Sequence, residues 1–225
     1  DAVNTNNNIE IANTGALTLI DLNASGNSVL NINGQVIISA ASPVTVSSAI
    51  NAGSDIILTA AETADAGVWA DDLIVNANIS SANGAILLRA GDDIVVAGGV
   101  TVQAQLLGQT VTLIAGNQDQ DNAGAITSAG TLQTNNGEIT LSAIGDIAVA
   151  TVNAGTGDVD ITSSQGNVTG GKITADELEV ASKAGINITT AVNTLTAGVS
   201  GDGDIVVGED DGITLANVTT SDGFI

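Results

Sequence analysis

The sequence is marked first by the residue types that it lacks. It contains no cysteine, histidine, tyrosine or methionine, and only one proline, one tryptophan and one phenylalanine among 225 residues. Without cysteine there is no disulfide framework and no thiol chemistry. Without histidine there is no imidazole base, which excludes the usual catalytic triads. The scarcity of aromatic residues predicts a narrow, uniform core that small aliphatic side chains fill alone.

Basic residues are almost as scarce. Arg89, Lys172 and Lys183 stand against 25 acidic residues, which leaves a net charge of −22. Nucleic-acid binding and adsorption to anionic lipid both need many lysines and arginines, so both are excluded. No stretch approaches the ~20 apolar residues of a membrane-spanning helix, so we predict no membrane insertion.

A short phrase recurs along the chain: a small turn residue, often an acid, and then an apolar–x–apolar pair. Period-two alternation of this kind predicts short strands with one buried face. Two or three such strands in ~20 residues are typical of one coil of a solenoid. The pairs recur every 17 to 30 residues, with a base period of roughly 20, at Leu17/Leu19, Val36/Ile38, Ile56/Leu58, Ile86/Leu88, Val111/Leu113, Ile139/Leu141, Val159/Ile161, Leu178/Val180, Leu195/Ala197 and Ile213/Leu215.

The pattern predicts an all-β fold, a parallel β-helix or solenoid of about ten coils of ~20 residues. Coils that stack at ~4.8 Å would form a rod roughly 45–50 Å long. We expect residues 1–225 to form a single solenoid domain, either a segment of a longer chain or a stacking subunit. The alternative is an antiparallel sandwich of hairpins, which also has regularly spaced short strands but normally has aromatic residues in its core.

Several copies of the phrase have a familiar form. Gly145-Asp-Ile-Ala-Val-Ala150 and Gly203-Asp-Ile-Val-Val207 resemble the repeats of filamentous-haemagglutinin-type adhesins and related giant bacterial surface proteins. The resemblance covers nearly the whole chain. It implies a right-handed parallel β-helix that is secreted and serves as a stalk, filament or adhesive surface. The chain departs from these proteins in its extreme acidity and in showing no secretion-domain motif.

Paired carboxylates are the candidates for enzymatic chemistry. Glycoside hydrolysis uses two acids that face each other across a cleft. The acids here lie mostly at turns, where aspartate is favoured for local hydrogen bonding. We therefore predict that the chain is not an enzyme. The pairs in question are Asp71/Asp72, Asp92/Asp93, Asp158/Asp160, Asp202/Asp204 and Glu209/Asp210/Asp211.

Calcium is the candidate ligand, because hard cations take oxygen atoms from carboxylates and carbonyls on flexible turns. The opposing interpretation is diffuse screening of a very acidic rod by cations. Two acidic stretches qualify as a metal site. Their candidate ligands are Asp202, Asp204, Glu209, Asp210 and Asp211 in the first and Asp119 and Asp121 in the second.

These observations predict a non-enzymatic, extracellular structural rod or filament used in cell-surface attachment or in matrix and fibre building. Its expected partners are copies of itself or adjoining repeats, joined end to end, together with surface glycans or other cells. The alternative is a calcium- or glycan-binding adhesin module. Such a module would act through two inserted segments, residues 60–71 with Trp69 and residues 116–122.

Overall fold

The computed structural model describes residues 2–63, 71–116 and 123–225, and every regular element in these residues is a β-strand. The predicted all-β class is therefore confirmed. Asp119, Asp121 and Trp69 lie outside the described residues. The strands are β1 Ala2–Asn4, β2 Ile9–Asn13, β3 Leu17–Leu19, β4 Asn27–Asn31, β5 Val36–Ala40, β6 Val44–Val46, β7 Ala49–Ala52, β8 Ile56–Ala60, β9 Leu73–Val75, β10 Ile79–Ser81, β11 Ile86–Ala90, β12 Ile94–Val96, β13 Thr101–Leu107, β14 Val111–Ile114, β15 Ile126–Asn135, β16 Ile139–Ala143, β17 Ile147–Asn153, β18 Val159–Ser163, β19 Asn167–Ser182, β20 Gly185–Asp202, β21 Ile205–Glu209 and β22 Thr214–Asp222.

The chain winds through three faces in each coil. Face A contains β1, β4, β7, β10 and β13, face B contains β2, β5, β8, β11, β14, β16 and β18, and face C contains β3, β6, β9 and β12. In the later coils the strands are long enough to turn a corner, so that β15, β17, β19 and β20 each contribute to two or three faces, and β21 and β22 complete faces C and B. Each strand pairs in parallel with the strand one coil away, as in β5 with β8 and β8 with β11. The parallel β-solenoid is confirmed, and the sandwich of hairpins is wrong.

Face B shows the number of coils, because each coil contributes one strand to it. Within the described residues ten strands stack there, in agreement with the predicted number. The prediction is wrong for Leu17, which pairs with Val44 on face C, whereas Ile9 begins face B. The prediction is also wrong for Ile213, which precedes β22, because Leu215 is the residue that pairs with Leu195. The residues that occupy the equivalent position of the ten strands lie 17 to 30 positions apart, at Ile9, Val36, Ile56, Ile86, Val111, Ile139, Val159, Leu178, Leu195 and Leu215.

The interior consists of columns of aliphatic side chains. Ile56, Ile86 and Val111 follow one another on face B, and all three are fully buried. Phe224, by contrast, is 81% exposed, so within the described residues no aromatic ring contributes to the core. Burying each aliphatic side chain contributes about 1.5–3 kcal/mol. A stack of such rungs stabilises the rod without any large side chain, as the composition predicts.

Small polar residues turn the chain at the corner between faces B and C. The buried Ser163 hydroxyl donates to the Gly145 carbonyl at 2.7 Å, and the buried Ser182 hydroxyl donates to the Gly166 carbonyl at 2.8 Å. A buried hydroxyl is costly unless it is hydrogen-bonded. These hydroxyls therefore join one coil to the previous one, and the glycine that opens the repeated phrase supplies the acceptor.

Candidate functional site

The acid of the repeated phrase has a structural role at the corner before face C. Oδ1 of Asp146 accepts a 2.7 Å hydrogen bond from the backbone amide of Asn167, one coil further along. A strand leaves such amides without a partner where its pairing begins, and a side-chain oxygen can satisfy them. We call the acids that do so at this corner the corner acids. Besides Asp146 they are Asp72, bonded to the Asp93 amide at 3.1 Å, Asp93, bonded to the Ala125 amide at 2.7 Å, and Asp204, bonded to the Phe224 amide at 2.8 Å.

The same arrangement occurs at the corner before face B. Oδ1 of Asp55 accepts the Ala85 amide at 2.9 Å, and Oδ1 of Asp158 accepts the Glu177 amide at 3.2 Å. In the first coil an asparagine, Asn8, takes the acid's place. The aspartates at these two corners therefore act as coil-to-coil acceptors.

The first predicted calcium ligands, Asp202 and Asp204, are part of this coil-to-coil arrangement. Asp204 is a corner acid with one oxygen committed to the Phe224 amide. Asp202 is exposed, and it lies in register with Asp222 of the next coil. Two like charges one coil apart raise the local negative potential but supply only two carboxylates.

The other predicted ligands follow β21. The Lys172 ammonium lies 3.0 Å from Oδ2 of Asp210, and both side chains are about half exposed. Lys172 therefore forms an ion pair with this acid. The hydroxyl of Thr190 donates to the Glu209 carboxylate. Asp210 and Glu209 therefore already have partners from the protein itself.

Asp211 is held by its own neighbours. The contact with the Glu209 side chain, and next the hydrogen bond from the Gly212 amide to Oδ1 at 2.8 Å, lower the pKa of Asp211 below its ordinary value. These interactions stabilise the charged form of a turn carboxylate without a bound cation.

Within the first acidic stretch, Asp202 and Asp204 are separated in space from Glu209, Asp210 and Asp211. The two groups lie at opposite ends of β21, Ile205–Glu209, a strand about 16 Å long. Among residues 2–63, 71–116 and 123–225, no group of three carboxylates is placed to hold a metal ion. The structure therefore does not gather the five predicted ligands into one site. Asp119 and Asp121 lie outside the described residues, and calcium binding there remains a prediction.

Two of the carboxylate pairs considered for catalysis, Asp71/Asp72 and Asp92/Asp93, lie at turns outside the strands. Asp71 is buried, with 4% of its surface exposed, and its Oδ2 accepts the Thr63 amide at 2.7 Å. The Asp71 amide donates in turn to Oδ2 of Asp92 at 2.9 Å. Asp72 and Asp93 are corner acids. All four carboxylates thus accept backbone amides, as expected of turn residues.

A concentration of acid on face B was not anticipated. Asp160 lies between Thr140 and Glu179 in three successive coils. Its burial, followed by the charges of neighbouring carboxylates, raises the pKa of Asp160. The sequence does contain a sign of this cluster, because Glu138, Asp158 and Glu177 recur at intervals of about one coil. We call this cluster the acidic ridge; it comprises Glu138, Asp158, Asp160, Glu177 and Glu179.

Face C has the opposite character. A shallow trough of about 460 Å³ lies at its centre, where Ala148 and Ala150 stand between Thr127 and Thr169. Sequence reasoning missed this face, although a second set of apolar–x–apolar pairs, such as Val44/Val46 and Ile94/Val96, forms it, and the middle residue of each of these pairs points outward. None of the nine described outward positions on its strands is charged; they are Thr18, Thr45, Ile74, Val95, Thr127, Ala148, Thr169, Asn187 and Val206.

Comparison with known proteins leaves the fold as the main guide to function. No family model, curated protein or solved structure matches the chain. In the part of the chain that the structure describes, no helix is long and apolar enough to cross a membrane.

Proposed function

We propose that this chain is a non-enzymatic, extracellular structural rod or filament used in cell-surface attachment or in matrix and fibre building. The observation that carries the proposal is the use of the repeated acids. Asp55, Asp93 and Asp146 each bond an amide of the next coil. Acids used in this way hold coils together, and a ten-coil parallel stack forms a rod roughly 45 Å long.

The finer part of the proposal is kinship with filamentous-haemagglutinin-type adhesins. Two features support it: the parallel solenoid, and the Gly-Asp-Ile phrase, whose glycine and acid both have defined positions at the corners. At Gly145 the glycine carbonyl accepts the Ser163 hydroxyl, and at Asp146 the acid accepts the Asn167 amide. An extracellular location follows from this kinship and is part of the proposal.

The partners proposed for such a rod lie along its axis and on the surfaces to which it attaches. Parallel strands present unpaired amides and carbonyls at a sheet edge, which is a template for a further strand. A copy of the chain or an adjoining repeat would extend the ladder. Surface glycans or other cells are the proposed targets of attachment.

The proposal is tested by an attachment assay with matched variants. Beads coated with the wild-type chain should be retained on cells more than beads coated with Ile56→Asp, because Ile56 is fully buried and a charge there unfolds the coil. Ile57→Asp adds the same charge at the next, outward position and should retain the beads as the wild type does. Equal retention of all three would contradict the proposal, as would labelling that finds the protein only inside intact cells.

The alternative, a calcium- or glycan-binding adhesin module, has its own test. Calcium titration by calorimetry compares the wild type with Asp119→Asn/Asp121→Asn and with Asp202→Asn/Asp204→Asn. Binding that is lost only in the first double variant would favour the module acting through residues 116–122. No heat of binding in the wild type would exclude calcium as its ligand.

A further inference from the structure

Charge is segregated around the rod. Face B carries Glu10, Asp160 and Glu179 at outward positions, whereas the nine described outward positions of face C carry no charge. The position two residues further along in each coil is uncharged as well: Ile20, Ser47, Asn76, Ala97, Ala129, Ala150, Gly171, Thr189 and Gly208. In a molecule with a net charge of −22, another acidic molecule can approach face C at a lower electrostatic cost than face B.

The face is also regular and large enough for a specific contact. Its strands follow one another in simple parallel register, as in Leu17–Val44–Leu73. Nine strands span about 38 Å along the rod, and five residues span about 16 Å across it. The face therefore offers about 600 Å² on each copy and about 1,200 Å² in a pair, at the lower end of specific interfaces.

The two edges of face C differ in charge. The corner acids line the edge where each strand begins. The opposite edge carries Asp21 in the first coil and Glu209 and Asp210 in the last, where Asp210 pairs with Lys172. In the seven described coils between them, from Ser47 to Thr189, it carries no carboxylate. Two copies packed face to face avoid opposing corner acids if the acidic edge of each copy lies over the neutral edge of the other. A two-fold axis parallel to the rod achieves this, whereas a two-fold axis parallel to the strands would stack acid on acid.

We propose that two copies of this chain associate laterally, face C against face C, with their rods pointing in the same direction. The small side chains of the central trough, Ala148 and Ala150, let the two sheets approach closely. The inference extends the proposed function, because laterally joined rods form a fibre or matrix. It does not depend on that function, since its test measures association and not attachment.

The first test is the oligomeric state of the purified chain. Sedimentation should show a dimer that strengthens as salt rises toward about 1 M, where the Debye length is about 3 Å and repulsion between acidic rods is screened. Thr127→Asp/Thr169→Asp places two charges on face C and should leave a monomer. The matched control, Thr112→Asp/Thr162→Asp, adds the same charge on face B and should dimerise like the wild type.

Two results of this test would overturn the proposal. A wild-type chain that stays monomeric at high salt and high protein concentration has no such interface. Equal loss of the dimer in both double variants would mean that added charge, and not face C, controls association. Circular dichroism and thermal unfolding of all three proteins verify that each is folded. Attachment is measured separately, with coated beads. A chain that stays monomeric in sedimentation therefore does not contradict the proposed rod function, and beads that are not retained on cells do not contradict the dimer.

The second test is the direction of the rods. The chain has no cysteine, so Thr45→Cys and Asn187→Cys each accept a single spin label, six coils apart on face C. In the same-direction pair, both label-to-label distances between copies should be short. In an opposed pair, at least one of the two distances must reach about 29 Å, because the labels lie six coil spacings apart. Such a long distance would overturn the proposed direction.

Discussion

The carboxylate of Asp146 and the backbone amide of Asn167 form a 2.7 Å hydrogen bond across two successive coils. This relationship explains why the chain repeats an acid before an apolar pair. At such a corner the amide at or just before the start of a strand lies outside the regular ladder, and the acid of the neighbouring coil accepts it, as for Ala125 and Asn167. The acidic composition is thus partly a consequence of the architecture.

Removing this acceptor should weaken the stack. We expect Asp146→Ala to lower the free energy of unfolding by about 1 kcal/mol, the usual net value of one hydrogen bond. Asp146→Asn loses the same charge but keeps an oxygen that can accept the Asn167 amide, so it should cost clearly less. Urea unfolding of the two variants measures the difference. Equal destabilisation would show that charge, and not the acceptor, matters at this corner.

Truncation of an inward side chain should destabilise the protein more than truncation of an outward side chain in the same strand. Ile86 is fully buried between Ile56 and Val111, so Ile86→Ala should cost about 2–5 kcal/mol. Leu87 points outward in the same strand, and Leu87→Ala should change the free energy of unfolding much less. Thermal unfolding of both variants checks the inward–outward alternation. A larger effect at Leu87 would mean that Leu87, and not Ile86, points into the core.

Gly203 lies so close to the backbone of the previous coil that any side chain there should destabilise the protein. A Cβ atom at Gly203 would lie 1.6 Å from the Ala184 carbonyl oxygen, so the last coil would have to move away. We expect Gly203→Ala to cost about 3 kcal/mol, at the upper end of overpacking effects. At Gly212 a Cβ meets nothing within 4 Å, and Gly212→Ala should stay within about 0.5 kcal/mol of the wild type. Chemical unfolding of both variants provides the comparison.

The sequence was sufficient to predict the parallel coil and its approximate number of turns, because alternation and period are local signals. It was not sufficient to assign pairs to faces. Leu17 and Ile9 both begin an apolar–x–apolar pair, and only the pairing with Val44 or Val36 separates face C from face B. That pairing joins residues 27 positions apart in both cases, which no local pattern encodes.

The candidate site was harder to predict for a related reason. Asp204 and Asp210 are close in sequence and were expected to act together, but the intervening strand β21 carries them to opposite corners. An extended strand separates its ends by about 3.3 Å per residue, so acidic residues on either side of it do not converge. The uncharged face C becomes visible only when the coils are aligned on one another.

Asp160 and Asp21 should affect the pH dependence of stability in opposite directions, because the pKa of Asp160 is raised and that of Asp21 is lowered. Burial, followed by nearby carboxylates, raises the pKa of Asp160. The ionised form is therefore less stable in the folded chain, and the folded state is favoured as pH falls toward the unfolded pKa of about 3.9. Asp160→Asn should raise stability at pH 7, and the gain over the wild type should shrink as pH falls to about 4. A gain independent of pH would contradict this assignment.

Asp21 serves as the opposite case. Desolvation acts to raise the pKa of Asp21, but amides of the same turn, Gly26, Ser25 and Asn23 foremost, together lower it below its ordinary value. Its contribution to stability is present above the unfolded pKa and is lost as pH falls through the folded pKa. Asp21→Asn should therefore lower stability at pH 7 and match the wild type at low pH. Thermal unfolding as a function of pH measures both variants.

Three Asn-Gly pairs precede strands of face B, at Asn33, Asn83 and Asn136. Such pairs are prone to deamidation, in which the glycine nitrogen attacks the asparagine Cγ, ammonia leaves, and water opens the resulting succinimide to aspartate or isoaspartate. At the first two pairs the glycine amide is engaged. The Gly34 amide donates to a buried asparagine at 2.9 Å, and the Gly84 amide donates to a buried serine at 2.9 Å.

The third pair, Asn136-Gly137, should therefore deamidate fastest. Thr134 occupies the equivalent buried position, but its hydroxyl donates to the Gly137 carbonyl at 2.6 Å and so leaves the Gly137 amide without that acceptor. An amide nitrogen that is not held in a hydrogen bond loses its proton and attacks more readily. On storage at mildly alkaline pH, peptide mapping by mass spectrometry should find acid at Asn136 well before Asn33 or Asn83. Conversion at equal rates in all three would mean that the hydrogen bonds to the glycine amides give no protection.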